Sequence, residues 1–106
     1  MNGLIQSLMP ELKTGLEALY GERLKGVYLY GSYARDEADA ESDVDVLVVL
    51  EDFDHYGAEA NRTSELGARL SLQYGVSISK VFLRERDWLT GQTPFLANVR
   101  EEATPA

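Results

Sequence analysis

The sequence contains no cysteine. Disulfide staples, thiolate metal centres and a cysteine nucleophile are therefore excluded, and the metal class left open is a hard, oxygen-ligated cation. Histidine occurs once, as His55, with no second imidazole to complete a metal site, so a surface or helix-start role is expected for it. Cations are in the minority: 10 Lys and Arg stand against 18 Asp and Glu, a net charge of -8. Without a basic face to neutralise a phosphate backbone, nucleic acid is not an expected partner, and any nucleotide bound is a small one. Long apolar runs are also missing. The opening MNGLIQSLMPELK has neither the basic nor the apolar region of a signal peptide, and no later stretch reaches the length of a bilayer span. A soluble, cytoplasmic protein with no membrane contact is expected. No G-x-G-x-x-G follows a strand, and residues 39–50 fail as a calcium loop because Val44 and Leu50 replace the required glycine and glutamate.

What is present fits one small domain spanning residues 1–106, since 44% hydrophobic content in 106 residues supplies a single modest core. Leu4, Leu8, Leu12, Leu16 and Leu19 recur at spacings of four and three, the stripe of an amphipathic helix. Pro10 suits only a first turn, so the regular helix is expected to begin near Met9, and Gly21 to stop it. LKGVYLY, residues 24–30, predicts a strand that ends at Gly31. The polar stretch after it has room for a short helix opened by Ser32. VDVLVVL, residues 44–50, is apolar on both faces and predicts a central strand. Ala60, Thr63, Leu66, Leu70 and Tyr74 predict a helix over 56–74 closed by Gly75, residues 76–83 a third strand, and Pro94 the start of a last short helix.

The chemistry gathers where the first two strands end and begin. Asp43 and Asp45 lie two apart at the entrance of the second strand, so both carboxylates leave the same face, their Cα atoms about 6.5 Å apart. Two like charges so placed call for a cation between them. An isolated D-x-D is most often a solubilising pair, and an isolated Gly-Ser most often a turn with a helix cap. Together they are more specific. Gly31 directly after an apolar strand lets phosphate oxygens reach backbone amides, and Ser32 adds a hydroxyl donor. If the two strands are neighbours, a phosphate cradle and a metal pair face each other across one cleft.

Gly31-Ser32, ten intervening residues and Asp43-Val44-Asp45, with Ala34-Arg35 and Ser42 also fitting, resemble the GSxAR…SDxD signature of the DNA polymerase β-like nucleotidyltransferases. The spread of elements along the chain resembles the minimal members called MNT domains. The resemblance implies an α+β fold, a small mixed β-sheet flanked by helices. It implies that Gly31 and Ser32 hold the phosphates of ATP, and that Asp43 and Asp45 hold Mg²⁺ as the catalytic carboxylates of nucleoside monophosphate transfer; Arg35 is a candidate phosphate contact, with a solvated surface residue as the alternative. It also implies a HEPN-domain partner: minimal members act as antitoxins that adenylylate a HEPN toxin or neutralise it by binding. An acceptor-binding domain has no room in this chain, so the acceptor is expected from outside.

One element of the family pattern is absent. Active members carry a third carboxylate on a later strand, where this chain has Ser77 and Ser79, and no serine hydroxyl is a strong base at neutral pH. Glu85 and Asp87 follow that strand and are the local candidates to replace it. A catalytically degenerate subunit that neutralises its partner by contact is the competing expectation. Lys80 is read as a snorkelling strand residue, and Trp88 and Phe95 as anchors of the C-terminal segment or of a partner rather than base-stacking groups.

Overall fold

A computed structural model describes residues 3–106. Helix α1 runs Gly3–Tyr20, a 3-10 turn covers Gly21–Arg23, and strands β1 (Leu24–Tyr30) and β2 (Val44–Leu50) follow. Helix α2 spans Tyr56–Tyr74, β3 Ile78–Arg84, α3 Glu85–Thr90, α4 Pro94–Glu102 and β4 Thr104–Pro105. The sheet order is β3-β2-β1-β4, with β1 antiparallel to both β2 and β4 and β2 parallel to β3. The expected α+β architecture, a small mixed sheet flanked by helices, is the one observed. Strand β2, apolar except for Asp45, lies inside the sheet with both faces covered, and its residues 46–50 are all buried.

One face of the sheet carries α1 and α2. Ile5, Leu8, Leu12, Leu16 and Leu70 pack there on Val27, Leu29, Val44, Val46, Val48 and Phe82. The opposite face is smaller: Leu47, Val49 and Val99 are buried with Tyr28, Tyr30, Val81, Leu83 and Trp88 around them, under α3 and α4. The side chains alternate as strand geometry requires, so odd-numbered residues of β2 and β3 look toward α3 and α4.

Helix α1 begins well before Met9, with Pro10 inside it. Ile5 and Leu8, upstream of the proline, are 1% and 0% exposed, and burying such side chains, about 1.5–3 kcal/mol each, offsets the lost backbone hydrogen bond. The buried stripe also turns slightly from the expected one: Tyr20 is buried whereas Leu19 is 42% exposed. Tyr20 donates its hydroxyl to Glu59 Oε1 at 2.7 Å, tying α1 to α2 inside the core. Helix α2 has the expected bounds, and Gly75 ends it in the left-handed region at φ 67°.

Strand β3 runs Ile78–Arg84 rather than 76–83, and α3 at Glu85–Thr90 forms where no helix was expected. The expected short helix after Ser32 is a set of turns, in which the amides of Ala34 and Arg35 both bond Gly31 O and the Glu37 amide bonds Ser32 O. Asp36, at φ 58°, leaves the right-handed region and prevents the turn from propagating. At the other end, β4 was not expected from sequence. Two residues are too few for a periodic signal, and it forms because Leu29 and Tyr28 offer a strand edge to Thr104 and Pro105.

Candidate functional site

Strand β1 delivers its last residue, Tyr30, opposite Asp45 on β2. The chain must then turn sharply, and Gly31 does so at φ 75°, in the left-handed region. A second constraint acts on the same residue, because a Cβ on Gly31 would land on Asp45 Oδ2. The glycine is thus demanded both by backbone conformation and by direct contact with the carboxylate. Asp43 precedes β2 and is exposed, while Asp45 is half-buried on the face shared with Tyr30. A turn keeps this approach in place: Ser42 Oγ accepts from the Asp39 amide at 3.0 Å and donates to Asp39 Oδ1 at 3.2 Å.

The electrostatics follow from crowded negative charge. Burial first, then Asp43 and Glu102, raise the Asp45 carboxyl above the usual carboxylate range, and Arg35 only partly opposes them. The Tyr30 hydroxyl is pushed up to about 12 by burial and then by Asp45, so it stays a neutral phenol. Asp43 and Asp45 suit Mg²⁺ as a donor set, since that ion is held through one or two carboxylates and completes its shell with water and substrate phosphate. Among the described residues no group of three or more His, Cys, Asp or Glu side chains converges on one point.

The third-strand position is definite. Asp45 pairs with Ser79 across the parallel β2–β3 ladder, which sets the Ser79 side chain beside the carboxylate on the same face. Glu85 and Asp87 do not join this cluster. They follow Arg84, which pairs with Leu50 at the far end of β2, five residues or about 16 Å of strand from Asp45. Lys80 points to the other face, where it does not snorkel outward but donates to Thr63 O of α2 at 3.2 Å. Its burial lowers its pKa. His55 occupies the N-cap position of α2 without capping it. Trp88 stacks on Tyr28 with centroids 4.9 Å apart, and Phe95 meets the edge of Tyr30 at 5.8 Å, so both anchor the C-terminal segment as expected.

Glu102, which sequence reasoning had passed over, reaches the same place. Pairing of β4 with β1 folds the end of α4 back onto the site, where Glu102 Oε1 accepts from the Gly31 amide at 3.0 Å. Its other oxygen accepts from Arg35 Nη1 at 2.9 Å. Both contacts hold the Glu102 carboxyl below the ordinary value, Arg35 contributing most. No sequence signal marks it, since it lies 71 positions from Gly31 in an acidic helix end. Arg35 thus pairs with a carboxylate that also bonds the Gly31 amide.

Comparison with known proteins bears on the chain as a whole. Residues 9–105 match the model of the nucleotidyltransferase domain family. "Putative protein adenylyltransferase MJ0141" of Methanocaldococcus jannaschii is 32% identical over 95 residues, covering 90% of this chain and 91% of its own length. A second relative from that organism, "Putative protein adenylyltransferase MJ0604", is 33% identical over 104 residues, covering 92% of each chain. Among solved structures, a "putative minimal nucleotidyltransferase" superposes with a TM-score of 0.58 at 28% identity, over 96% of this chain and 95% of that one. A toxin-antitoxin structure with AMP-PNP has the same fold at a TM-score of 0.62 and 19% identity, over 89% of this chain and 68% of that one. The strand-end glycine set against the D-x-D carboxylates and the family match over most of the sequence give one conclusion: this chain belongs to the nucleotidyltransferase domain family.

Proposed function

We propose that this protein is an ATP- and Mg²⁺-dependent protein adenylyltransferase of the cytoplasm, an antitoxin that modifies a HEPN toxin. The observation that carries the reading is the abutment of Gly31 on Asp45, which sets the turn after β1 against the carboxylate at the start of β2. In this reading Gly31, Ser32 and Arg35 bind phosphate oxygens, and the Asp43 and Asp45 carboxylates would hold Mg²⁺ as the catalytic residues. The bound metal would supply neutralisation of triphosphate charge. The chain supplies position: transfer joins the α-phosphorus of ATP to an acceptor oxygen in line with the departing pyrophosphate, and such displacement asks mainly for alignment and charge compensation. Two relatives named for protein adenylylation support a protein acceptor. The net charge of -8 argues against a nucleic acid acceptor. The HEPN identity of the toxin comes from the family resemblance, and the shared fold with a toxin-antitoxin protein is consistent with it.

Incubation with labelled ATP and Mg²⁺, with and without the protein encoded beside it, tests this reading. Label on the neighbour that vanishes in the Asp43→Asn/Asp45→Asn variant is the expected result. A stable complex without label favours the second reading, a degenerate subunit that neutralises by contact. Ser79 beside Asp45, in place of a third carboxylate, is the observation on its side.

A further inference from the structure

The Glu102 carboxylate is held at two points, by a backbone amide and by a guanidinium. These are the donor types that grip phosphate oxygens, and they are the same two groups assigned above to nucleotide binding. We propose that Glu102 is an internal stand-in for a substrate phosphate, a latch that closes the Gly31–Arg35 anion subsite until nucleotide displaces it. The inference rests on the nucleotide-binding reading and adds regulation of that site by the end of α4.

The placement of Glu102 is otherwise unfavourable. It is the last residue of α4, where the helix carbonyls present partial negative charge and a carboxylate is disfavoured. It also faces the charge of Asp45 and the phenol of Tyr30. Its two hydrogen bonds to the cradle offset these terms, so the latch is held by the subsite and by little else. Opening it needs no backbone movement. The Glu102 and Arg35 side chains are 24% and 44% exposed, leaving room for the carboxylate to rotate into solvent while β4 stays paired. A triphosphate, with several charged oxygens against one carboxylate, is the stronger ligand for both donors once Mg²⁺ accompanies it.

The latch lowers apparent affinity by the fraction of molecules in which the subsite is open. Calorimetric titration with Mg·ATP, and separately with inorganic triphosphate, compares wild type with Glu102→Ala and Glu102→Gln, each checked for folding by circular dichroism. The expected result is tighter binding of both ligands by Glu102→Ala, by about tenfold, with Glu102→Gln between it and wild type. In an Arg35→Ala background, which removes one of the two competed donors, the gain is expected to shrink. If wild type binds Mg·ATP and neither variant binds it more tightly, the latch is overturned and the nucleotide reading stands. If no folded form binds Mg·ATP or triphosphate, the nucleotide reading falls and the latch falls with it.

Discussion

Asp45 and Ser79 are direct partners across the parallel β2–β3 ladder, a carboxylate and a hydroxyl side by side on one face of the sheet. The position that would complete a carboxylate triad is therefore geometrically available. Ser79→Asp is expected to tighten Mg²⁺ binding and to speed transfer, since a well-placed base contributes about 10²–10⁴-fold. Rate and metal affinity measured together decide it. An unchanged rate with tighter metal binding would mean that the acceptor, not this chain, supplies the base.

Gly31→Ala is expected to destabilise the fold and abolish nucleotide binding. The left-handed conformation at φ 75° costs a non-glycine residue about 1–2 kcal/mol, and the added methyl displaces the Asp45 carboxylate. Thermal unfolding and a nucleotide titration check the two effects separately. An alanine variant that binds normally would remove the close approach of Gly31 and Asp45 as the organising contact of the site.

Asp45→Asn is expected to raise the melting temperature in metal-free buffer at neutral pH while abolishing transfer. Burial, Asp43 and Glu102 raise the folded-state pKa of Asp45, so the folded protein favours the protonated form more than the unfolded chain does. The stability this group contributes is present at low pH and lost as pH rises through the folded-state pKa. The advantage of asparagine should therefore shrink in acid, and Mg²⁺ should stabilise wild type but not the variant. Melting curves across pH 4 to 8, with and without Mg²⁺, supply the comparison.

Tyr20→Phe is expected to cost about 1–3 kcal/mol, because it leaves Glu59, 4% exposed, without its buried hydroxyl donor. Arg62, 3.5 Å from the same Oε1, keeps the loss toward the lower end. Pairing it with Glu59→Gln should recover part of the loss, since a neutral amide tolerates burial better. Denaturant unfolding measures both variants.

The main elements were legible in the sequence because their patterns are local. Strand β2 is seven apolar or site residues in a row, and α2 closes on Gly75 at the predicted residue. The motif residues Gly31, Ser32, Asp43 and Asp45 stand out for the same reason, their chemistry being written in short spacings. Arg35 was legible as a residue, but its engagement was not, since it depends on a carboxylate 67 positions away.

The sequence by itself determined the long elements α1, β1, β2, α2 and β3 and the placing of a glycine turn and a D-x-D pair at the ends of neighbouring strands. Tertiary structure decided the rest. Helix α1 extends through Pro10 because the core buries Ile5 and Leu8, a gain no local propensity contains. Glu85 and Asp87 fall at the far end of β3 because the parallel register with β2 leaves only Ser79 beside Asp45. Glu102 enters the site because two residues of β4 bind the free edge of β1 and turn the chain back on itself. Contacts between groups this far apart along the chain leave no periodic trace in sequence, and only the assembled sheet brings them together.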